Sequence, residues 1–144
     1  MNPDFVDLLR AFVAADVRFL VVGAYALGIH GRPRATGDLD LWVEPSSENA
    51  ERVIRALRAF GAPLSDLTAA DLSRPGCVYQ IGLAPIRIDI LTELTDLDFG
   101  DAWATRVSSR FGPIEVNVIG LAALIRNKKA TGRARDLADI EGLE

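Results

Sequence analysis

The chain has 144 residues, 49% apolar and 25% charged, which suits one compact domain with an adequate core. A formal net charge of −4 argues against a general nucleic-acid coat protein, and the lone cysteine, Cys77, excludes an internal disulfide and a cysteine-based zinc site. No apolar run approaches a membrane span, and Met1-Asn2-Pro3-Asp4 lacks a basic stretch leading into an apolar one, so the expectation is a cytoplasmic protein without membrane contact.

In chain order, Phe5, Leu8, Leu9 and Phe12 recur at a helical period, which predicts a helix over 4–15. A short buried strand follows from Arg18 to Val22 and ends at Gly23. Ala24 to His30 reads as a short helix closed by Gly31 and Pro33. Asp38 to Glu44 alternates as a strand. Pro45 to Asn49 opens a helix in which Ser46 or Ser47 serves as cap and Val53, Ile54 and Leu57 form the apolar stripe; Gly61-Ala62-Pro63 ends it. The 64–76 segment carries only turn signals or a brief helix. Val78 to Leu83 and Ile86 to Leu91 read as two strands joined by Ala84-Pro85. Asp98 to Ala104 reads as a short helix, Ile114 to Val118 as a late strand after Gly112-Pro113, and the rest as two helices broken at Gly132. This order argues for an α/β (α+β) fold with a mixed sheet. It is read as a single domain over 1–144, with a core at about 17–118 and C-terminal helices at about 120–143.

The most informative run is Gly37-Asp38-Leu39-Asp40-Leu41-Trp42-Val43. Side chains alternate along a strand, so Asp38 and Asp40 share one face while Leu39, Leu41 and Val43 share the other. Two carboxylates about 6–7 Å apart repel by roughly 2–3 kcal/mol at an effective dielectric near 20, and strands are depleted in Asp. Such a pair calls for a cation. Hard divalent ions such as Mg²⁺ favour one or two carboxylates together with substrate phosphates. On the later strand, Ile86, Ile88 and Ile90 share one face and Arg87 and Asp89 the other, so Arg87 is also placed to pair with Asp89, and Arg34 or Arg87 with the first two acids.

These residues carry a resemblance. Val21-Val22-Gly23-Ala24, then Asp38-Leu39-Asp40, then Arg87-Ile88-Asp89-Ile90 resemble the glycine turn, paired acids and third acid of the nucleotidyltransferase superfamily with the polymerase-beta-like core. The run from His30 to Asp40, and Leu124-Ile125-Arg126-Asn127-Lys128 with Gly132-Arg133-Ala134-Arg135-Asp136-Leu137-Ala138-Asp139, look most like its small bacterial branch of AbiEii-like toxins and minimal nucleotidyltransferases. The resemblance covers roughly residues 5–143. It implies a nucleotidyltransferase fold, a mixed central sheet flanked by helices with a C-terminal helical segment. It further implies Asp38, Asp40 and Asp89 as catalytic metal ligands for two Mg²⁺ or Mn²⁺ ions, and an NTP as substrate. Gly23 and Ala24 would meet the phosphates through backbone amides, with Arg34, Thr36 and Lys128 as further nucleotide contacts. Arg32 shares the loop of Arg34. The family turn usually has Gly or Ser second, where this chain has Ala24. Each of these residues also has a plainer reading: a solvated loop or ion pair for Arg32 and Arg34, turn stabilisation for Thr36, a solvated helix face for Lys128. Asp136 and Asp139 are read as fold supports pairing with Arg133 or Arg135, and Tyr25 as a half-buried aromatic.

The expected activity is metal-dependent transfer of an NMP from an NTP to a hydroxyl of an RNA (the tRNA 3′ end) or of a protein, with a toxin of a toxin–antitoxin pair and a cognate antitoxin partner within its scope. The competing expectation is a catalytically silent nucleotidyltransferase fold that senses nucleotides or binds protein. A Rossmann-type binder is disfavoured because no Gly-x-Gly-x-x-Gly follows the first strand.

Overall fold

The computed structural model describes residues 2–32, 37–83, 86–141 and 143. Helix α1 (Pro3–Ala14) starts with Pro at its first turn and Asn2 as cap, whose side chain accepts from the Asp4 amide, and it buries Phe5, Leu8, Leu9 and Phe12. Helix α3 (Ser47–Phe60) is capped by Ser46, buries Ala50, Val53, Ile54, Ala56 and Leu57, and stops at Gly61 with φ of 91°. That left-handed conformation is one glycine adopts without Cβ strain. α1 and α3 pack against each other and close the apolar core.

Between them run β1 (Phe19–Val22), the short helix α2 (Gly23–Ile29) and β2 (Asp38–Val43). The 64–76 segment holds one short helix, α4 (Ala69–Leu72), with a reciprocal capping box between Thr68 and Asp71. Strands β3 (Val78–Leu83) and β4 (Ile86–Leu91) follow, and the expected Ala84-Pro85 joint lies outside the described residues. Then come α5 (Phe99–Ala104), capped by Asp98, and β5 (Val107–Phe111), β6 (Ile114–Val118), α6 (Leu121–Thr131) and α7 (Ala134–Ile140).

One six-stranded sheet has the order β3-β4-β2-β1-β6-β5. β2 runs antiparallel to β1 and parallel to β4, and β6 runs parallel to β1, so the sheet is mixed. Strand β5 is an addition to the sequence expectation. Its Val107-Ser108-Ser109-Arg110-Phe111 run is mostly exposed and pairs only with β6, so it lacks the apolar alternation that marks a half-buried strand.

Buried polar bonds fix the sheet's central strands. The Asn49 side chain accepts from the Arg18 amide at 2.7 Å and donates to the Arg18 and Glu44 carbonyls at 3.0 Å each. It thereby joins the start of α3 to the entry of β1 and the exit of β2. The acid-bearing face of β2 is covered at only one end. Trp42, two residues past Asp40, is buried and meets Phe99 of α5 edge-to-face with centroids 5.1 Å apart. The other end, at Asp38 and Asp40, faces an open cleft.

Candidate active site

Strand register gathers the acids. In the β1–β2 pair Val22 lies opposite Asp40, which brings the turn at Gly23 beside that carboxylate. In the parallel β2–β4 pair Asp38 lies opposite Arg87 and Asp40 opposite Asp89. Paired residues of adjacent strands point to the same face, so three carboxylates and one guanidinium share one patch. Leu39 and Leu41 are fully buried, as alternation requires, and Asp89 is itself only 8% exposed.

Arg87 spans two of the acids. Its Nε donates to Asp89 Oδ1 at 2.9 Å and its Nη2 to Asp89 Oδ2 at 3.2 Å, while the same Nη2 reaches Asp38 Oδ2 at 3.3 Å. Asp40 receives less compensation. Burial, the charges of Asp89 and Asp38, and a hydrogen bond with Asp89 push its carboxyl up to about 6, against only a partial lowering by Arg87. Among the described residues, no three carboxylate, imidazole or thiol groups stand close enough to hold a metal ion as they are arranged. The excess negative charge around Asp40 and the all-oxygen donors nevertheless suit a hard divalent cation.

Gly23 is required at this point. Its φ is +70°, and a Cβ there would overlap the Asp40 carboxylate, with Cγ at 3.0 Å. Gly23→Ala is expected to destabilise the fold by about 1–3 kcal/mol and to push the Asp40 side chain outward. Denaturant unfolding reads the first effect. Carboxyl-detected NMR titration reads the second, as an Asp40 midpoint moving down toward the ordinary range.

The cleft, about 440 Å³, is lined on one side by Val22, Gly23, Ala24, Asp38 and Asp40 and on the other by Asn127, Lys128, Thr131, Arg133 and Arg135. A volume of this order suits a small-molecule ligand. The second wall is fastened to the sheet by its own bonds. Asn127 Nδ2 donates to the Thr95 carbonyl at 3.0 Å and Arg126 Nε to Asp96 Oδ2 at 2.9 Å, tying α6 to the loop after β4. Arg32 Nη2 donates to the Ala138 carbonyl at 3.0 Å, tying α7 to the loop after α2.

Between α6 and α7, Gly132 turns the chain with φ of 64° and brings Asp136 beneath Lys128. Lys128 is 8% exposed, and its Nζ donates to Asp136 Oδ1 and Asp139 Oδ2 at 3.3 Å each. Asp136 also accepts from Thr131 Oγ1 at 2.7 Å and from Arg133 Nε at 2.6 Å. Burial alone would raise its pKa, but the hydrogen bonds from Arg133, Thr131 and Lys128 hold its carboxyl well below the usual range. Lys128 thus reaches the cleft wall with its ammonium already held by two carboxylates, which corrects the solvated-face reading. The pairing expected for Asp136 is found with Arg133. Arg34 and Thr36 lie outside the described residues.

Other singled-out side chains have structural places. Tyr25 is half-buried between Phe5 and Phe111, at 6.0 and 5.0 Å between centroids. His30 Nε2 donates to the Ile119 carbonyl at 2.7 Å. Sequence reasoning did not place Arg133 and Arg135 in the cleft. The signal was present, because Gly132 folds the basic segment that follows it back over α6, but only the tertiary packing shows which wall it forms.

A mixed sheet entered through a strand–glycine–helix turn, with acids on the next strand and on its parallel neighbour, defines a nucleotidyltransferase fold. Solved structures agree. The chain superposes on a nucleotidyltransferase candidate from Thermotoga maritima with a TM-score of 0.62 and 15% identity, over 99% of this chain and 93% of that one. It superposes equally, TM-score 0.62 at 12% identity, on the lincosamide antibiotic adenylyltransferase LnuA in its lincomycin-bound form, over 99% of this chain and 96% of that one. No family model and no curated protein matches the sequence.

Proposed function

We propose that the protein is a metal-dependent nucleotidyltransferase. A hydroxyl oxygen of the acceptor attacks the α-phosphorus of an NTP, a new P–O bond forms, the bond to the bridging αβ-oxygen breaks and pyrophosphate leaves with that oxygen, the hydroxyl proton being released. The observation that carries this reading is the register-driven gathering of Asp38, Asp40 and Asp89, of which Asp38 and Asp40 line, beside Gly23, a cleft whose far wall carries Arg133 and Arg135.

Asp38 and Asp40 would hold the ion that accompanies the triphosphate, and Asp89 would join them for a second. Divalent ions at such a site supply charge neutralisation at the phosphates and a more acidic acceptor hydroxyl. The chain's own groups do the positioning. Gly23 and Ala24 bring backbone to the cleft, and Arg135, which forms no ion pair among the described residues, supplies positive charge opposite the acids. Arg34 and Thr36 are further proposed phosphate contacts. Lys128 belongs to the same wall, but with its charge balanced by Asp136 and Asp139 its main effect is on the wall's shape.

The acceptor we infer is a hydroxyl of RNA, the tRNA 3′ end first, or of a protein, in keeping with a toxin of the AbiEii-like kind and with a cognate antitoxin as partner. One structural neighbour is an antibiotic adenylyltransferase bound to lincomycin and matches over 96% of its length, so small hydroxyl-bearing acceptors belong in the same screen. A second reading, a silent fold that binds nucleotide or protein without transfer, is favoured by the hold of Arg87 on Asp38 and Asp89 and by the loss of a turn hydroxyl at Ala24.

Parallel reactions with α-labelled and γ-labelled NTPs separate the two. The transferase reading expects Mg²⁺-dependent incorporation of the α label into tRNA or protein and release of the γ label as pyrophosphate. Binding of NTP with neither label moved to any acceptor would support the silent reading.

A further inference from the structure

Arg87 is a charged group on the acid face that the transferase reading does not use. Register fixes it opposite Asp38 and two residues before Asp89 on the same strand. Its planar fork grips Asp89 through Nε and Nη2, at 2.9 and 3.2 Å, and Nη2 donates to Asp38 as well, at 3.3 Å. Fork geometry of this kind matches a carboxylate far better than an ammonium would. The contacts occupy oxygens of Asp38 and Asp89, the very atoms a divalent cation shared by the three acids would need.

Charge gives the same answer. Among the described residues the three carboxylates carry −3 and Arg87 offsets one unit of it, so the guanidinium competes with a divalent ion for the same charge. A second ion brings the metal charge above what the three carboxylates carry, so the guanidinium opposes it outright. The Arg87 side chain is 30% exposed, so it can swing into solvent without opening the core.

We propose that Arg87 is a resident cation of the acid site, one that holds Asp38 and Asp89 together in the ligand-free protein and must give up their oxygens before divalent metal is bound. It is a gating residue, and it makes metal binding weaker than the three acids alone would allow. This inference rests on the metal-site reading above.

The test is direct Mn²⁺ titration, followed by the EPR signal of free Mn²⁺, on the wild type, Arg87→Gln, Arg87→Lys and an Asp38→Asn/Asp40→Asn control. Arg87→Gln is expected to bind Mn²⁺ about tenfold more tightly than the wild type, the order of one ion pair removed from competition, while its ligand-free melting temperature falls. Arg87→Lys, which keeps the charge without the fork, is expected to lie between them. If the wild type binds Mn²⁺ and the control does not, but Arg87→Gln binds equally or more weakly, Arg87 positions Asp89 and the gating proposal is overturned while the metal site stands. If neither the wild type nor Arg87→Gln binds Mn²⁺ better than the control, the metal site and the gate fail together.

Discussion

Asp40→Asn is expected to make the ligand-free protein more stable at pH 7 and to abolish the proposed nucleotidyl transfer. The Asp40 carboxyl is pushed up to about 6 by burial and by Asp89 and Asp38. An acid whose folded pKa lies above its unfolded value binds protons more readily when folded, so stability from this group is greatest in acid. It is lost as pH rises from 3.8 toward about 6. At pH 7 the ionised form therefore costs stability, and the neutral isostere recovers about 1–3 kcal/mol, or several degrees in melting temperature for a domain of this size. The same substitution removes a charged ligand from the proposed metal site, with an expected loss of at least about a hundredfold in nucleotidyl transfer, roughly 3 kcal/mol of barrier. Thermal unfolding from pH 4 to pH 8 checks the first part, since the wild type should lose stability across that range relative to the variant. A variant less stable than the wild type at pH 7 would mean that Asp40 is held by favourable contacts, not by repulsion.

Asp136→Ala is expected to have the largest effect on folding. The Asp136 side chain is fully buried and serves Lys128, Thr131 and Arg133 together. Its removal leaves the buried Lys128 ammonium with Asp139 as its remaining carboxylate contact among the described residues. Breaking a buried pair from one side costs about 3–5 kcal/mol, a large part of the 5–15 kcal/mol typical of a domain. The pH dependence has the opposite sign to that of Asp40. A depressed carboxyl contributes stability above its unfolded pKa and loses it as pH falls toward the folded one. Urea unfolding at pH 7 and again near pH 3 checks both statements: the gap between wild type and variant should narrow in acid.

The elements were largely legible because the sequence states them locally. The 3.6-residue stripe of α3, the cap at Ser46 and the glycine stop at Gly61 lie within a few residues of one another, and all three are found. Asp38 and Asp40 were legible as one face because the strand period is two. Three features were not, each for a physical reason. β5 is a polar edge strand whose pairing with β6 is tertiary, and it carries no apolar alternation of its own. The partnership of Lys128 with Asp136 and Asp139 depends on how Gly132 folds α7 against α6. The third is which of the first two acids Arg87 reaches: its pairing with Asp89 and with the strand of those two acids was expected and is found, but the choice of Asp38 over Asp40 depends on the parallel β2–β4 register that no local signal encodes.

The most direct measurement is the melting temperature of the wild type and of Asp38→Asn/Asp40→Asn, with Mg²⁺ and each NTP. Nucleotide at about a hundred times its Kd stabilises by roughly 2.7 kcal/mol, a rise of several degrees. A site built on these aspartates predicts that rise only with metal and nucleotide together, and only in the wild type. The same rise in the double variant, or in the absence of metal, would contradict it.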